Sequence, residues 1–384
     1  MTEALHLAGW LMGAIAVLGA LYAIVAGVLV RRDFRRLAPL GVDLPAVTLL
    51  KPLHGVEPGL WDHLESFCAQ DYPAPVQIIF GVQDRFDPAV AVVMDLKRRH
   101  PDQDIVLVVD ERLYGLNRKV SNLVNMQPYI RHGVVVLTDA DISVDKTYLS
   151  RVAPILLSSK DVGFVTCSYV GKPMGGLWSQ LSAMAVNYHF LPSVAVGMAL
   201  KLARPCFGAT IAFRKSSLDE IGGFLPLADR LADDYEIGRA IAAGRPGFAL
   251  PPFVVAHACA EANLRELVSH ELRWARTIRA VDPAGFAGSG VTHALPLAMI
   301  SALLLGPTPG ALTVVVLAAA ARIYLRREVD RATGFSAGVW WLTPLRDFVS
   351  LGVFIGAFLE TTVRWQGESL QVAAGGGLTP NSRA

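Results

Sequence analysis

The 384-residue chain has only four cysteines, Cys68, Cys167, Cys206 and Cys259, set far apart, with no C-x-x-C and no Cys/His pair at metal-ligand spacing. That argues against a structural zinc site and against a disulfide framework, and it points to reduced, buried thiols. Net charge is also small. Lys+Arg number 35 and Asp+Glu 33, a formal net charge of +2, so no basic footprint for nucleic acid is visible. Two phosphate-binding signatures are missing. There is no G-x-x-x-x-G-K-[ST], which excludes a P-loop, and no G-x-G-x-x-G after the first expected strand, which disfavours a dinucleotide fold. No inverted repeat appears either, so a transporter does not fit.

Apolar residues are abundant, 53% of the chain, and they concentrate at its two ends. Residues 7–30 carry no charge and are long enough to cross a bilayer. They are too long for the core of a signal peptide, lack a basic stretch before them and have no cleavage site, so residues 1–36 read as a retained anchor. "RRDFRR" follows at once and places the next domain in the cytoplasm by the positive-inside rule. Near the other end, residues 294–305 and 311–325 flank "GPTPG" and read as a hairpin with a short first arm, so a re-entrant path is also open. Residues 338–359 form a last apolar segment with Arg346 and Asp347 inside it. Such charges are costly in lipid: either they pair within a helix bundle or the segment lies partly at the interface. The membrane region is therefore placed at 291–362 and a C-terminal tail at 363–384.

Between these ends, residues 45–285 have the composition of a globular domain. Strands are expected at 47–51, 76–82, 104–109 and 134–138, with helices at 88–99 and 119–129 between them. This alternation predicts an α/β fold with a mostly parallel sheet covered on both faces, and such sheets bind ligands at their C-terminal strand ends. The fourth strand ends in "VVVLTDADISVD". Asp139 and Asp141 stand at i and i+2 of an extended segment and point to one side, where like charges repel unless a cation lies near. Oxygen donors of this kind suit Mg²⁺ or Mn²⁺ together with a substrate diphosphate. An EF-hand fails, because Val144 stands where the loop needs glycine. Asp145 reads as a cap for a helix starting near Lys146. Asp84 lies just past the second strand, on the same edge. Asp233 and Asp234 open a further helix in "LADDYEIG".

Seven ordered stretches then carry a resemblance: "LLKPLHGVEPGL", "FGVQDRFDPA", "GLNRKVSNL", "LTDADI", "CFGATIAFRK", "LADDYEIG" and "HELRW". In order and spacing they resemble the ceramide glucosyltransferase family, membrane-bound inverting glycosyltransferases of GT-A fold that use a UDP-sugar. The chain looks nearest to the bacterial hopanoid-associated members. The resemblance implies that Asp84 recognises the uracil, that Asp139 and Asp141 hold the metal and diphosphate, and that Lys119 lies near the nucleotide. It implies that Asp234 is the general base, which leaves Asp233 to cap its helix. Arg273 would face the diphosphate and Trp274 the acceptor. His270 replaces the usual Gln or Arg of the last motif, and its part in ligand binding is open. Residues 187–208 are expected at the membrane surface beside a lipid entrance. The implied setting is a bacterial inner membrane with the catalytic domain in the cytoplasm. A processive polysaccharide synthase would need more membrane helices, and a non-catalytic scaffold would not need Asp234.

Overall fold

In the computed structural model, which describes residues 2–34, 44–360, 362–365, 368–373 and 375–380, the strand-helix alternation folds into a seven-stranded sheet. Arg35 and Arg36 of the basic run lie outside the described residues. The strands are β1 (Val47–Pro52), β2 (Val76–Val82), β3 (Asp104–Val109), β4 (Val134–Leu137), β5 (Ile142–Ser143), β6 (Val162–Thr166), β7 (Ser168–Pro173), β8 (Ile211–Arg214), β9 (Gly247–Ala249) and β10 (Val254–Cys259). The large sheet runs β3-β2-β1-β4-β8-β6-β9, and only β8 opposes its neighbours. A small sheet, β5-β10-β7, packs beside it.

Helices α1 (Thr2–Asp33), α2 (Leu60–Cys68), α3 (Ala89–Arg99), α4 (Arg118–Met126) and α5 (Tyr148–Leu157) come first. Side chains alternate across the strands, so each face feeds a different layer. Leu49, Ile78, Phe80 and Val136 meet Leu64 and Phe67 of α2, Val93 of α3 and Val152 of α5. Leu50, Ile79, Val135 and Leu137 meet Val120 and Leu123 of α4 on the other face. Trimming one of these, Leu49→Ala for instance, is expected to cost about 2–5 kcal/mol.

Then follow α6 (Gly176–Ala185), a π-helical turn (Val186–Phe190), α7 (Leu191–Ala199), α8 (Lys215–Glu220), α9 (Asp233–Gly244), α10 (Leu264–Val281), α11 (Pro283–Gly288), α12 (Ala294–Leu305), α13 (Pro309–Thr333) and α14 (Thr343–Leu359). Among the described residues, three stretches are long and apolar enough to cross a membrane: Glu3–Asp33, Pro309–Thr333 and Trp340–Leu359. The path from Pro283 to Leu305 would add a fourth, but it bends by 63°. Small residues let α1 approach its neighbours closely. Ser301 donates to the Gly9 carbonyl at 2.8 Å, and a Cβ at Gly19 would collide with the Val291 carbonyl.

Arg346 and Asp347 pair inside the protein rather than facing lipid. Arg346 grips Glu271 with two bonds of 2.7 Å, and Asp347 takes two bonds from Arg322 at 2.7 and 2.9 Å. The π-helical turn packs on α13, and its His189 Nε2 lies 3.0 Å from Asp347 of α14. The first part of the segment 187–208 is therefore mostly internal, while residues 199–204 are exposed, with Leu200 and Leu202 as its exposed large apolar residues. The expected tail holds structure: strands β11 (Thr362–Trp365), β12 (Glu368–Val372) and β13 (Leu378–Pro380) form an antiparallel sheet. Gly375 and Gly376, both at positive φ, turn the chain between the last two strands.

Candidate active site

The loop after β4 is pinned by three separate elements. Thr138 N–H donates to Leu50 of β1, Asp139 N–H to Gly208, and the Asp141 carbonyl accepts from Ala258 of β10. Lys51, at the end of β1, is buried; its ammonium donates to Thr138 Oγ1 at 2.8 Å and to the Asp139 carbonyl at 2.7 Å, over the Phe67 ring. Burial pushes this lysine down to about 7, against the pull of Asp141 and Asp139. The Asp-Ala-Asp turn is thus held from below as well as from its sides.

Helix α4 starts at the same edge, capped by the Asn117 side chain, which accepts from Val120 N–H. Lys119 in its first turn reaches Asp139 Oδ1 at 2.7 Å and Asp233 Oδ2 at 2.8 Å. Burial opposes its charge, but Asp139, Asp233 and Asp234 outweigh that and hold it well above the usual lysine range. The ammonium therefore bridges two carboxylates instead of standing open toward a ligand. Asp233 is not a cap either: α9 has no side-chain cap, and this carboxylate turns to Lys119 because an ion pair binds it more strongly than a helix end.

Asp234 is drawn into the same cluster by Gly208. The Gly208 N–H donates to Asp234 Oδ2 at 3.1 Å, while a Cβ at this position would collide with the Asp139 carboxylate. Tyr235 N–H donates to Asp234 Oδ1 at 2.7 Å. Burial first, and the Asp233 charge second, raise Asp234 to about 6; Lys119 and the Tyr235 N–H pull the other way. A carboxylate tuned toward neutrality is suited to proton transfer.

Asp141 has one oxygen paired and one open. Its Oδ2 lies 3.1 Å from His257 Nε2, and its Oδ1 is buried with no hydrogen-bond partner among the described residues. Burial disfavours the charged form, yet His257 and Lys51 prevail and hold Asp141 well below the usual carboxylate range. Arg273 on α10 lies within electrostatic reach of Asp139, Asp141, Asp233 and Asp234, but it makes no ion pair among the described residues. Burial lowers this guanidinium against the pull of those acids. Trp274 lies between two imidazoles, 4.4 Å from His270 and 5.6 Å from His257 between ring centres. His270 Nδ1 is taken by Glu261 at 2.7 Å, so the ring braces Trp274 and keeps only Nε2 for any other partner.

The profile of glycosyl transferase family 21 matches residues 11–378. The chain belongs to this family. Ceramide glucosyltransferase 3 of Caenorhabditis elegans is 22% identical over 346 residues, which cover 88% of this chain and 75% of that protein. The ceramide glucosyltransferase of Candida albicans is 29% identical over 116 residues, 27% of this chain and 21% of the relative. Among solved structures, the mannosyltransferase PcManGT from Pyrobaculum calidifontis, in complex with GDP-Man and Mn2+, aligns at 21% identity and a TM-score of 0.49, over 91% of this chain and 99% of that one.

The family 21 enzyme thus has the α/β, GT-A-type sheet with apolar helices at both ends that its motifs implied. Asp84 stands apart from the acid cluster. It is exposed, it accepts from Phe86 N–H at 2.8 Å, and its strand β2 is two places from β4, about 10 Å across the sheet. Asp145 holds a turn rather than a helix cap, because its Oδ1 accepts from Thr147 one residue before α5 begins. Lys51, Gly208, Asp233 and His257 carry structural weight in the site that spacing alone did not reveal. Lys51 and Gly208 sit inside motif stretches, and a lysine ending a buried strand was a usable signal. His257 had none, since β10 meets Asp141 only through the fold.

Proposed function

We propose that this glycosyltransferase moves a sugar, with inversion, from a UDP-sugar to a hydroxyl of a membrane lipid. The observation that carries the reading is the convergence of Asp139, Asp233 and Asp234 around Lys119 and Gly208, with Arg273 within electrostatic reach and without an ion-pair partner among the described residues. Asp234 takes the acceptor proton as the acceptor oxygen bonds to the anomeric carbon and the bond to UDP breaks. The Gly208 and Tyr235 N–H groups hold its carboxylate in place for that step. Arg273 pairs with the donor diphosphate. Asp84, about two strands away, meets the uracil, and Trp274 offers the acceptor an apolar platform. Lys119 acts on the diphosphate indirectly, by orienting Asp139.

Mg²⁺ or Mn²⁺ fits these residues, because the open buried oxygen of Asp141 beside Asp139 is a hard donor. Asp139 and Asp141 would hold the ion, which when bound would offset charge on the departing diphosphate.

The domain limits follow: anchor 1–36, catalytic domain 45–285, membrane region 291–362 and C-terminal segment 363–384. The catalytic domain faces the cytoplasm of a bacterial cell from its inner membrane, where a soluble donor and a lipid acceptor meet. The finer substrate reading is N-acetylglucosamine from UDP-GlcNAc onto bacteriohopanetetrol, which rests on the run "HELRWARTIRAVDPAGFAGS". A second reading, glucose onto ceramide, is favoured by the names of the relatives. Incubating the purified enzyme with each donor and each lipid, and weighing the products by mass spectrometry, separates the two. Glycosylated hopanoid alone supports the first, glucosylceramide alone the second, and no glycolipid from any pair sinks both.

A further inference from the structure

Helix α14 is as apolar as a membrane span, yet its first end is tied to Tyr188 of the catalytic domain and to the basic end of α13, and its second end to the catalytic domain. Before it, the Tyr188 hydroxyl accepts from Ala337 N–H at 3.0 Å, and Arg326 donates to the Gly338 carbonyl at 2.6 Å. After it, Arg276 on α10 holds Glu360 at 3.0 Å and the Thr362 carbonyl at 2.6 Å. The chain then enters β11, whose sheet returns to the catalytic domain: Leu231 N–H donates to Gly376 at 3.0 Å and Leu378 N–H to Asp229 at 2.8 Å. With the 3-10 turn Trp340–Leu342 before it, the apolar stretch has the 20 residues of a span, so length admits a crossing and it is the tying of both ends that argues against one.

Its two faces differ as an interfacial helix requires. Leu345, Phe348, Ile355 and Phe358 recur at helical spacing and are exposed, with Trp340 and Trp341 exposed just before them. The opposite face buries Arg346 and Asp347. Arg346 is 1% exposed; besides its two bonds to Glu271 it donates to the Leu181 carbonyl at 3.1 Å, so it ties α14 to both α10 and α6. Glu271 stands two residues before Arg273 on α10.

We propose that α14 does not cross the bilayer but lies along its surface on the catalytic side, with its apolar face in the lipid and Arg346 fixing α10 from behind. The Trp340–Trp341 pair matches the aromatic enrichment of membrane interfaces, and of the outer stripe only Phe358 leans on protein, against Phe286 and Arg279, while Leu345, Phe348 and Ile355 stay exposed. Arg346 is a positioning residue: it sets the height of α10, and with it Arg273 and Trp274, relative to the lipid surface. This second half rests on the donor-side reading of Arg273; the topology does not.

Two experiments test it. Single cysteines at Ser336 and Ala373, exposed positions on either side of α14, are labelled with a membrane-impermeant thiol reagent in sealed vesicles of known orientation. Both are expected to react from the same side as the catalytic domain; reaction from opposite sides overturns the interfacial placement. For positioning, Arg346→Met and the milder Arg346→Lys and Glu271→Gln are purified as folded protein. The expected result is a loss of up to about 100-fold in kcat/KM with a raised donor KM, partly spared in Arg346→Lys. Folded Arg346→Lys and Glu271→Gln with unchanged kcat and KM would overturn it, even if Arg346→Met fails to fold. Arg273→Ala separates the layers: if it leaves donor KM unchanged, the donor-side reading has failed instead.

Discussion

The helix bundle and the sheet edge both bury charge, and the molecule treats the two differently. In the bundle, Arg322 donates two hydrogen bonds to Asp347, Arg346 donates two to Glu271, and His189 closes on Asp347. At the sheet edge, Asp141 keeps an open buried oxygen and Arg273 has no ion-pair partner among the described residues. Buried charge is costly unless paired, so matched pairs mark architecture and unmatched groups mark a place kept for a ligand. Arg346 is fully buried and satisfied, whereas Arg273 is half-buried and has no ion-pair partner among the described residues.

The largest break between the two regions should come from Asp234→Asn. Transfer is expected to fall about 100- to 10,000-fold while UDP-sugar binding survives, measured by product formation and by titration calorimetry. Lost donor affinity would move Asp234 to the donor side. In the bundle, Arg322→Met is expected to cost about 3–5 kcal/mol of stability by stranding Asp347, and adding Asp347→Leu should recover most of it. Thermal unfolding in detergent checks this, with kcat of the folded fraction unchanged. A weaker handle is pH. Asp234 works as a base only when deprotonated, and its value is raised to about 6. The kcat/KM is therefore expected to be flat above that value and to fall about tenfold per unit below it. A profile still flat two units lower would remove Asp234 as the base.

The sheet edge was readable in advance because its signals are local. Continuous apolar strands announced a parallel sheet, and β2 and β3 fall at the residues expected of them. Strands that end on carboxylates named Asp84, Asp139 and Asp141, and the acidic opening of α9 named Asp233 and Asp234, between which only the family resemblance chose. Partners were not readable. Nothing near Lys119 indicates that it bridges Asp139 to Asp233, and the placement of His257 beside Asp141 depends on a strand pairing from a distant part of the chain. The bundle was least readable. Arg346 and Asp347 are neighbours in sequence, yet they face different helices, because a helix turns successive residues by about 100°. The C-terminal sheet escaped notice because its strands are short and separated by glycines and small residues.

The central claim is that the unpaired groups at the sheet edge are a donor site completed by a divalent ion. The direct measurement is UDP binding to the purified enzyme by calorimetry, with Mn²⁺ and then with EDTA, in the wild type and in Asp141→Asn. Binding that needs Mn²⁺ and weakens by more than about tenfold in the variant is the result expected. UDP bound equally tightly in EDTA, or equally by Asp141→Asn, would contradict it.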